Sequence, residues 1–294
     1  MYYRRKILLS LFEVMGDELG KIDFQKLLFL LGMKQKKASF DFVPYKFGCF
    51  SFQANADLRT MAKYEQIVEK EKKWQRIEEK KYFSELKADD QQALSELASK
   101  FRNLRTSELI KYTYQKYPYY AINSVVAEKV LDVSALQEIQ NKRPTGQKKG
   151  LFTIGYEGIS LEQYLNKLIK KDIKVLVDVR KNSRSMKYGF NKNQLKNACE
   201  GVGITFFHYP ELGIESNKRR ALKKQSDYDT LFSEYAMDNL KQTQGLQKEI
   251  IGLVVQFGRV ALTCFEANIC QCHRKPLAES IVKISEFNLQ LTHI

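Results

Sequence analysis

Long apolar runs are missing from this 294-residue chain, and the longest stretch of that kind, within 26–33, is well short of the roughly 18 residues that a membrane span needs. We therefore expect no membrane partner. The N-terminal 20 residues place Glu13, Asp17 and Glu18 among their apolar positions, which argues against a signal peptide. Cysteine is also scarce: five residues, an odd number, predict reduced thiols rather than a disulfide framework. These features together predict a cytoplasmic protein.

Acidic side chains are outnumbered. The chain has 49 lysines and arginines against 34 aspartates and glutamates, a formal net charge of +15. Residues 1–150 carry 28 basic and 19 acidic side chains, and residues 151–294 carry 21 and 15, so both halves are basic. Such a charge favours a polyanionic partner, and we expect nucleic acid, with DNA first. With 44% hydrophobic residues, the chain can form two domains that each have a core.

Residues 1–140 show mainly helical periodicity. Apolar residues at 7, 8, 11, 12 and 15 share one face of a first helix, and KIDFQKLLFLLG predicts a second helix with Asp23 as its N-cap. Aromatic residues alternate around Pro44 and Gly48, which predicts a hairpin beside the helices. The mixed charges of 69–81 predict an exposed helix face or a mobile segment. The polar segment 141–150 is typical of a linker between domains.

Two N-terminal segments, KIDFQKLLFLLG and PYKFGCFSFQANADLRTM, carry a resemblance to a known family. They resemble the Panacea antitoxins, also catalogued as domain of unknown function 4065. The resemblance covers residues 1–70 and implies a winged-helix-like domain, over 1–140, that binds nucleic acid or a protein partner. The later segment 111–124, KYTYQKYPYYAINS, interleaves cations with tyrosines. It is either a surface on which bases stack or an aromatic core.

After residue 150 the pattern changes to short apolar runs separated by amphipathic segments. Strands are predicted at 150–156, 174–180, 203–209, 259–266 and 288–294, and helices at 160–171, 191–202, 226–240, 246–257 and 273–286. Ser160 and Gln163 have the spacing of a capping box. Alternating apolar strands and helices predict an α/β domain over 150–294, with a Rossmann-like, mostly parallel sheet and helices on both faces.

Reactive side chains follow four of these predicted strands. In such sheets the functional crevice lies at the carboxyl ends of the strands. The residues at those ends are Tyr156, Glu157, Asp178, Arg180, His208, Cys264 and Glu266. Their shared edge predicts one cleft. Taken singly, Asp178 could equally cap a loop and His208 could be a hydrogen-bonded core histidine.

Several ordered motifs run through the same half of the chain. They are TIGY at 153–156, DVR at 178–180 with Ser185 and the Gly189-Phe190 pair, His208 with PELGI at 210–214, Cys264 with Glu266, and CHR at 272–274. With these motifs, residues 151–290 resemble the family catalogued as domain of unknown function 488. That family has no established reaction. The resemblance therefore implies a domain and a site rather than an activity.

The segment 264–274, CFEANICQCHR, holds three of the five cysteines. Cys272 precedes a predicted helix, where the backbone dipole and nearby cations lower a thiol pKa, so it could be a nucleophile. Alternatively, His273 and Arg274 could hold a phosphate at the helix N-terminus together with Arg180, and we favour this interpretation. The candidate residues are Asp178, Glu266, His208 and Cys272 for catalysis; Tyr156, Glu157, Arg180, Ser185, Cys264, His273 and Arg274 for ligand binding; and Lys181, Arg184, Lys187, Lys218, Arg219 and Arg220 for nucleic acid.

A metal ion is a further interpretation of this segment. The spacing C-x5-C-x-C-H is not that of a zinc finger or ribbon, and no Cys-x-x-Cys pair accompanies it. Disulfide exchange is another, but Cys270 and Cys272 are separated by one residue instead of the two of a thioredoxin-like motif. We expect neither a metal nor another cofactor.

Three functions remain open at this point. The leading hypothesis is a nucleic-acid-directed enzyme, a glycosylase-like hydrolase or a transferase that excises or modifies a base. The first alternative is a non-catalytic DNA-binding regulator, an antitoxin-like or phage-defence component. The second alternative is a thiol or sulfur-transfer enzyme that uses Cys272.

Overall fold

The computed structural model describes residues 1–104, 106–219 and 222–294. They form two compact units, Met1–Arg143 and Pro144–Ile294. The division lies inside the polar segment 141–150. Within the described ranges, no helix has both the length and the apolar character needed to cross a membrane.

The N-terminal unit is mainly helical and contains two small antiparallel sheets. Its helices are α1 (Tyr3–Met15), α2 (Lys21–Gly32), α3 (Phe52–Lys63), α4 (Ala88–Phe101), α5 (Thr106–Lys116), α6 (Ala127–Val130) and α7 (Val133–Lys142), and its strands are β1 (Glu18–Gly20), β2 (Val43–Tyr45), β3 (Gly48–Phe50), β4 (Ile67–Glu69) and β5 (Lys73–Arg76). Strands β2 and β3 form the predicted hairpin, and β1, β5 and β4 pair in that order.

Two sequence predictions for this unit are wrong. Helix α2 begins at Lys21 with Gly20 at the N-cap position, so Asp23 lies in the first turn and accepts a hydrogen bond from Thr106 Oγ1 (3.0 Å). The segment 69–81 contains no helix; its central part is strand β5, which pairs with both β1 and β4. The many charged residues obscure the alternation that is typical of a strand, in which Trp74 is buried while the neighbouring Lys73 is exposed.

The tyrosine-rich segment 111–124 packs largely into the N-terminal core. Tyr114 is fully buried, and its hydroxyl hydrogen-bonds to Ser124 (2.8 Å). Tyr117 and Tyr120 pack edge-on against Phe29, with ring centroids 5.0 and 4.6 Å apart. These contacts favour the aromatic-core interpretation of the segment over a base-stacking surface.

The C-terminal unit alternates strands and helices. Its strands are β6 (Gly150–Gly155), β7 (Val175–Asp178), β8 (Thr205–His208), β9 (Arg259–Cys264) and β10 (Gln290–His293), and its helices are α8 (Leu161–Lys170), α9 (Lys192–Gly201), α10 (Gln225–Met237), α11 (Asn239–Gln242), α12 (Gln244–Phe257) and α13 (Arg274–Ile284). Short 3-10 helices cover Pro210–Leu212, Ser216–Arg219 and Ile269–Gln271. The predicted capping box is present at the start of α8.

One parallel sheet organises this unit. Its strand order is β10-β6-β9-β7-β8, so β9 lies between β6 and β7. Val177 and Leu262 belong to the core cluster that α12 and α13 complete on one face. On the other face, Tyr164 of α8 lies beside Asp178 and Thr263. The predicted α/β fold, with a parallel sheet flanked by helices, is confirmed.

Candidate functional site

The carboxyl ends of four neighbouring strands meet at one edge of the sheet. Gly155 of β6 is paired with Cys264 of β9, and Asp178 of β7 is paired with both Thr263 and His208. The strand order therefore brings together the reactive residues that follow β6, β7, β8 and β9. Because the strands are parallel, the loops that continue from them surround a common space.

Asp178 and Arg180 form a buried ion pair at this edge. Arg180 donates from Nε and Nη2 to the two carboxylate oxygens of Asp178, at 2.8 and 2.6 Å. Its Nη1 donates to the Tyr156 hydroxyl (2.7 Å) and to the Phe190 carbonyl (2.9 Å). Burial lowers the pKa of Arg180, but the hydrogen bonds to Asp178 outweigh burial and hold that pKa above its usual range. The pair thus positions the loop after β7.

Tyr156 packs between two other aromatic side chains beside the loop that follows β7. Its ring stacks on Phe190, with centroids 4.2 Å apart and planes 9° apart, and meets the edge of Phe265 at 5.3 Å. Ser185 lies beside the Tyr156 side chain and acts to lower its pKa, and Lys187 Nζ donates to the Tyr156 carbonyl (2.6 Å). Burial raises the pKa of Tyr156 and lowers the pKa of Lys187. Lys187 therefore stabilises the loop instead of pointing freely to solvent.

Two thiols and an imidazole form a second cluster at the end of β9. The side-chain ligand atoms of Cys264, Cys272 and His273 all lie within 4.8 Å of one another, and all three residues are buried. Cys264 Sγ is 3.7 Å from His273 Nδ1. Burial raises the pKa of Cys264, but the hydrogen bond from Cys272 and the charge of Arg219 outweigh burial and lower it; burial raises the pKa of Cys272.

Glu266 links this cluster to Arg219. One carboxylate oxygen forms an ion pair with Arg219 Nη1, and the other accepts a hydrogen bond from Cys264 Sγ (3.1 Å). Arg219 Nη2 lies 2.6 Å from His273 Nδ1. Burial raises the pKa of Glu266 despite the opposing charge of Arg219. Arg219, which the sequence placed among the nucleic-acid contacts, is thus part of the site itself.

Arg274 and Glu157 hold the backbone of the 265–267 turn. Arg274 Nη1 donates to the Glu266 carbonyl (2.5 Å), and Glu157 accepts a hydrogen bond from the Ala267 N–H (2.9 Å). Gly155 allows this turn to lie close to the end of β6, because a Cβ added at Gly155 would lie 2.0 Å from the Glu266 carbonyl oxygen. These two predicted ligand-binding residues therefore support the site through its backbone.

A cavity of about 270 Å³ opens at this edge, and we call it the strand-end cavity. Its wall is formed by Tyr156, Arg180, Lys181, Asn182, Arg184, Ser185, Met186, Ile214, Arg219, Cys264, Phe265 and His273. Among the described residues, none in this wall is an aspartate or glutamate. Four cations therefore line the cavity together with apolar patches and one thiol, and two of these cations, Arg180 and Arg219, are paired with Asp178 and Glu266 behind the wall.

The remaining predicted site residues lie outside the cavity wall. His208 Nε2 donates to the Arg180 carbonyl (3.0 Å), so it supports the loop after β7. Lys218 lines a neighbouring cavity beside acidic side chains, Glu234 and Asp238 among them. Asp178, Glu266 and Cys272 contact residues of the wall without belonging to it. Arg220 lies outside the described residues.

Sequence reasoning missed four residues of the wall: Asn182, Met186, Ile214 and Phe265. Ile214 and Phe265 stand inside motifs that were recognised, PELGI and CFEANICQCHR. Both are apolar, whereas the candidate residues were chosen mainly for titratable side chains. Asn182 and Met186 lie in the basic loop after β7, where no local signal separates wall residues from solvent-facing ones.

Comparison with known proteins gives one match. Residues 160–281 match the family model described as "Domain of unknown function DUF488". The match confirms the resemblance of the C-terminal half; the N-terminal resemblance stays a prediction. The matched region contains Asp178, Arg180, Arg219 and the whole 264–274 segment, whereas Tyr156 precedes it. No curated protein and no solved structure matches the chain.

Proposed function

We propose that this protein binds nucleic acid and acts on one nucleotide in the strand-end cavity, releasing or modifying its base. The observation that carries the proposal is the cavity wall, which four cationic side chains line: Arg180, Lys181, Arg184 and Arg219. The carboxylates paired with two of them, Asp178 with Arg180 and Glu266 with Arg219, lie outside the wall. Guanidinium groups recognise phosphate through paired hydrogen bonds, and lysine adds a point charge. The net charge of +15 supports a polyanionic partner.

Arg219 has a hydrogen-bond donor that its protein contacts do not use. Its Nη1 and Nη2 contact Glu266 and His273, but its buried Nε has no partner among the described residues. A buried donor without an acceptor costs about 1–3 kcal/mol. An oxygen of a bound phosphate would satisfy this donor.

The apolar part of the wall suits the base of a nucleotide. Phe265 lines the cavity and is 43% exposed, so its ring is available for stacking. Stacking on an aromatic side chain is how proteins hold single bases without reading sequence. The volume of about 270 Å³ is near the lower end of ligand pockets, roughly 300–1,000 Å³. One nucleotide unit fits this space better than a longer segment.

Glu266 takes the acid-base role in this proposal. Both oxygens of Asp178 are held by Arg180, and its side chain is fully buried. Both oxygens of Glu266 are also engaged, by Arg219 and Cys264, but these two partners line the cavity and the Glu266 side chain is 20% exposed. A catalytic carboxylate must reach the proton that it transfers. We therefore assign proton transfer to Glu266 and a positioning role to Asp178.

The N-terminal unit completes the proposal as the part that engages nucleic acid or a protein partner. Its support is the basic charge of residues 1–150. Replacing cavity cations would then weaken binding of nucleic acid without abolishing it.

Binding is tested with the double variant Lys181→Gln/Arg184→Gln. Both side chains are exposed, so the fold should be retained. We expect affinity for a labelled single-stranded DNA, measured by fluorescence anisotropy at fixed salt, to fall about tenfold. The matched control Lys167→Gln/Lys170→Gln removes the same charge from the exposed side of α8. Equal losses in the two doubles would show that the cavity is not the phosphate site.

Turnover is tested by incubating the protein with DNA and RNA, digesting the products to nucleosides and searching for a released or altered base by mass spectrometry. We expect wild-type turnover and a loss of at least about 100-fold in Glu266→Gln, because a general acid-base residue contributes roughly 10²–10⁴. Affinity for the nucleic acid should stay near the wild-type value. Full turnover by Glu266→Gln would remove Glu266 from the mechanism.

Tight binding without any changed base in the same assays would favour the non-catalytic alternative, a regulatory, antitoxin-like or phage-defence component. The thiol alternative has less support at Cys272, which is fully buried and lies outside the cavity wall. Cys264 is the thiol that lines the cavity.

A further inference from the structure

The cluster of Cys264, Cys272 and His273 has no role in phosphate binding. Its three ligand atoms lie within 4.8 Å of one another, and the residues are 2%, 0% and 1% exposed. Two thiols and an imidazole converge here from the end of β9 and the start of α13. These are ligand types that zinc and related cations prefer.

The distances suit a tetrahedral zinc-class ion. Zinc binds thiolate sulfur at about 2.3 Å and imidazole nitrogen at about 2.0–2.1 Å, which places the two atoms about 3.6 Å apart at the tetrahedral angle. Cys264 Sγ and His273 Nδ1 are 3.7 Å apart. The separation of these two atoms is therefore that of two ligands of one tetrahedral ion.

The orientation of His273 is that of a metal ligand. Its Nε2 lies 3.0 Å from the Val179 carbonyl oxygen, which can only accept, so Nε2 carries the proton. Nδ1 then presents its lone pair to the two cysteines. Histidines that bind metals commonly donate their other ring N–H to a backbone carbonyl or carboxylate, which fixes the tautomer. Here the carbonyl belongs to Val179, the residue that directly follows β7.

Two contacts compete with a metal. Cys264 Sγ donates a hydrogen bond to Glu266 (3.1 Å), and this proton has to leave before the sulfur can bind an ion as a thiolate. Arg219 Nη2 lies 2.6 Å from His273 Nδ1 and uses the lone pair that an ion would take. Arg219 keeps its ion pair with Glu266 when this hydrogen bond is released. The charges then balance, since two thiolates offset the divalent ion and Glu266 offsets Arg219.

We infer that Cys264, Cys272 and His273 bind a divalent cation of the zinc class, with one coordination position open toward the strand-end cavity. Cys264 and His273 line that cavity, whereas Cys272 lies behind them, so water or a substrate atom completes the tetrahedron. The two thiols release their protons to solvent on binding. Three protein ligands with one open position are typical of a catalytic zinc site. The inference stands whether or not the cavity takes a nucleotide.

The first test measures metal in the full chain, purified under reducing conditions without a chelator. We expect about one zinc per chain by plasma mass spectrometry. After removal of the metal, titration with Co²⁺ should give thiolate-to-cobalt charge-transfer absorption and the intense visible bands of tetrahedral cobalt. A stripped wild-type protein that binds neither zinc nor cobalt, or that carries a Cys264–Cys272 disulfide under these conditions, overturns the inference.

The second test compares cysteine variants in the same titration. Cys264→Ser and Cys272→Ser should each weaken Co²⁺ binding at least about tenfold, because each removes a thiolate ligand. Cys270→Ser is the matched control, since Cys270 is exposed in the same loop and outside the cluster. Equal binding by all three variants, or a loss in Cys270→Ser as large as in the others, contradicts the assignment. The wild-type titration gives a result even if a variant fails to fold.

The third test separates the metal from the proposed function. Glu266→Gln should keep the cobalt spectrum, because Glu266 is paired with Arg219 and is not a ligand in this assignment. Loss of the cobalt spectrum in Glu266→Gln would mean that Glu266 is a fourth protein ligand and that no coordination position is open. Lys181→Gln/Arg184→Gln should bind cobalt like the wild type while losing affinity for DNA, so the metal and the nucleic acid can fail independently.

Discussion

Asp178 is bound through both of its carboxylate oxygens to Arg180, at the buried end of β7. Arg180 also reaches the Phe190 carbonyl, so the pair connects the strand to the far end of the loop that follows. The residue type and its strand-end position predicted a candidate acid or base. The contacts instead support a positioning role, because the side chain is fully buried and Arg180 binds both of its oxygens.

Asp178→Asn should strongly destabilise the protein. It leaves the buried charge of Arg180 without its counter-ion, which typically costs about 3–5 kcal/mol in the free energy of unfolding. Urea denaturation of the full chain measures this change. Glu200→Gln is the control, because the Lys196–Glu200 pair is exposed at 3.8 Å and should contribute less than about 0.5 kcal/mol. Similar values for the two variants would show that the buried pair is unimportant for stability.

Gly155→Ala tests the close approach of the 265–267 turn to β6. The added Cβ would lie 2.0 Å from the Glu266 carbonyl oxygen, so the turn has to move. We expect a loss of about 1–3 kcal/mol in stability together with weaker Co²⁺ binding. Gly252→Ala in α12 is the control, because its added Cβ would meet no described atom within 4 Å beyond its own stretch of helix; it should be neutral or stabilising by up to about 1 kcal/mol. A Gly155→Ala protein as stable as Gly252→Ala would contradict this close packing.

At the scale of elements, β9 has the position that assembles the site. It pairs with β6 on one side and β7 on the other, so Cys264 lies next to the end of β6 and Thr263 next to Asp178. The existence of every strand in this sheet was predictable from short apolar runs. Their order was not, because strand pairing depends on contacts far apart in sequence.

Helix α8 offers a local prediction. Ser160 Oγ accepts from the Gln163 N–H (3.1 Å), and Gln163 Oε1 accepts from the Ser160 N–H (3.3 Å). Ser160→Ala should lower the free energy of unfolding by about 0.5–2 kcal/mol, because it leaves a helix-terminal N–H without this acceptor. Ser233→Ala, on an exposed position of α10, should change it by less than about 0.5 kcal/mol. Thermal unfolding of both variants measures the difference, and equal midpoints would argue against the cap.

The N-terminal unit shows where element prediction failed and why. Charged residues surround Trp74, and the sequence of 69–81 therefore favoured an exposed helix. In the three-stranded sheet, the short strand β5 buries one side chain, Trp74, and the residues at its other positions stay at least partly in solvent. Helix periodicity was a reliable signal only where several apolar residues recur on one face, as in α1 and α2.

At the scale of the whole molecule, the charge of +15 predicts salt-sensitive binding of nucleic acid. Each phosphate contact releases counter-ions, so the logarithm of affinity falls linearly with the logarithm of salt concentration. The slope should be about 1–2 less steep for Lys181→Gln/Arg184→Gln than for the wild type, because two phosphate contacts are lost. Anisotropy titrations at several salt concentrations measure it. An unchanged slope would place the phosphate contacts elsewhere on the chain.

The sequence by itself determined the mainly helical character of one half, the α/β class of the other and the edge of the sheet at which reactive residues gather. These properties follow from local periodicity, caps and strand ends. Only the tertiary structure decided which side chains meet: Arg219 contacts Glu266 and His273 across 47 and 54 residues, and His273 contacts Val179 across 94. The same convergence makes Cys264, Cys272 and His273 a candidate metal site, although their spacing argued against one. Metal ligands need proximity in space, and the turn between β9 and α13 brings these three side chains together although their sequence spacing is not that of a zinc finger or ribbon.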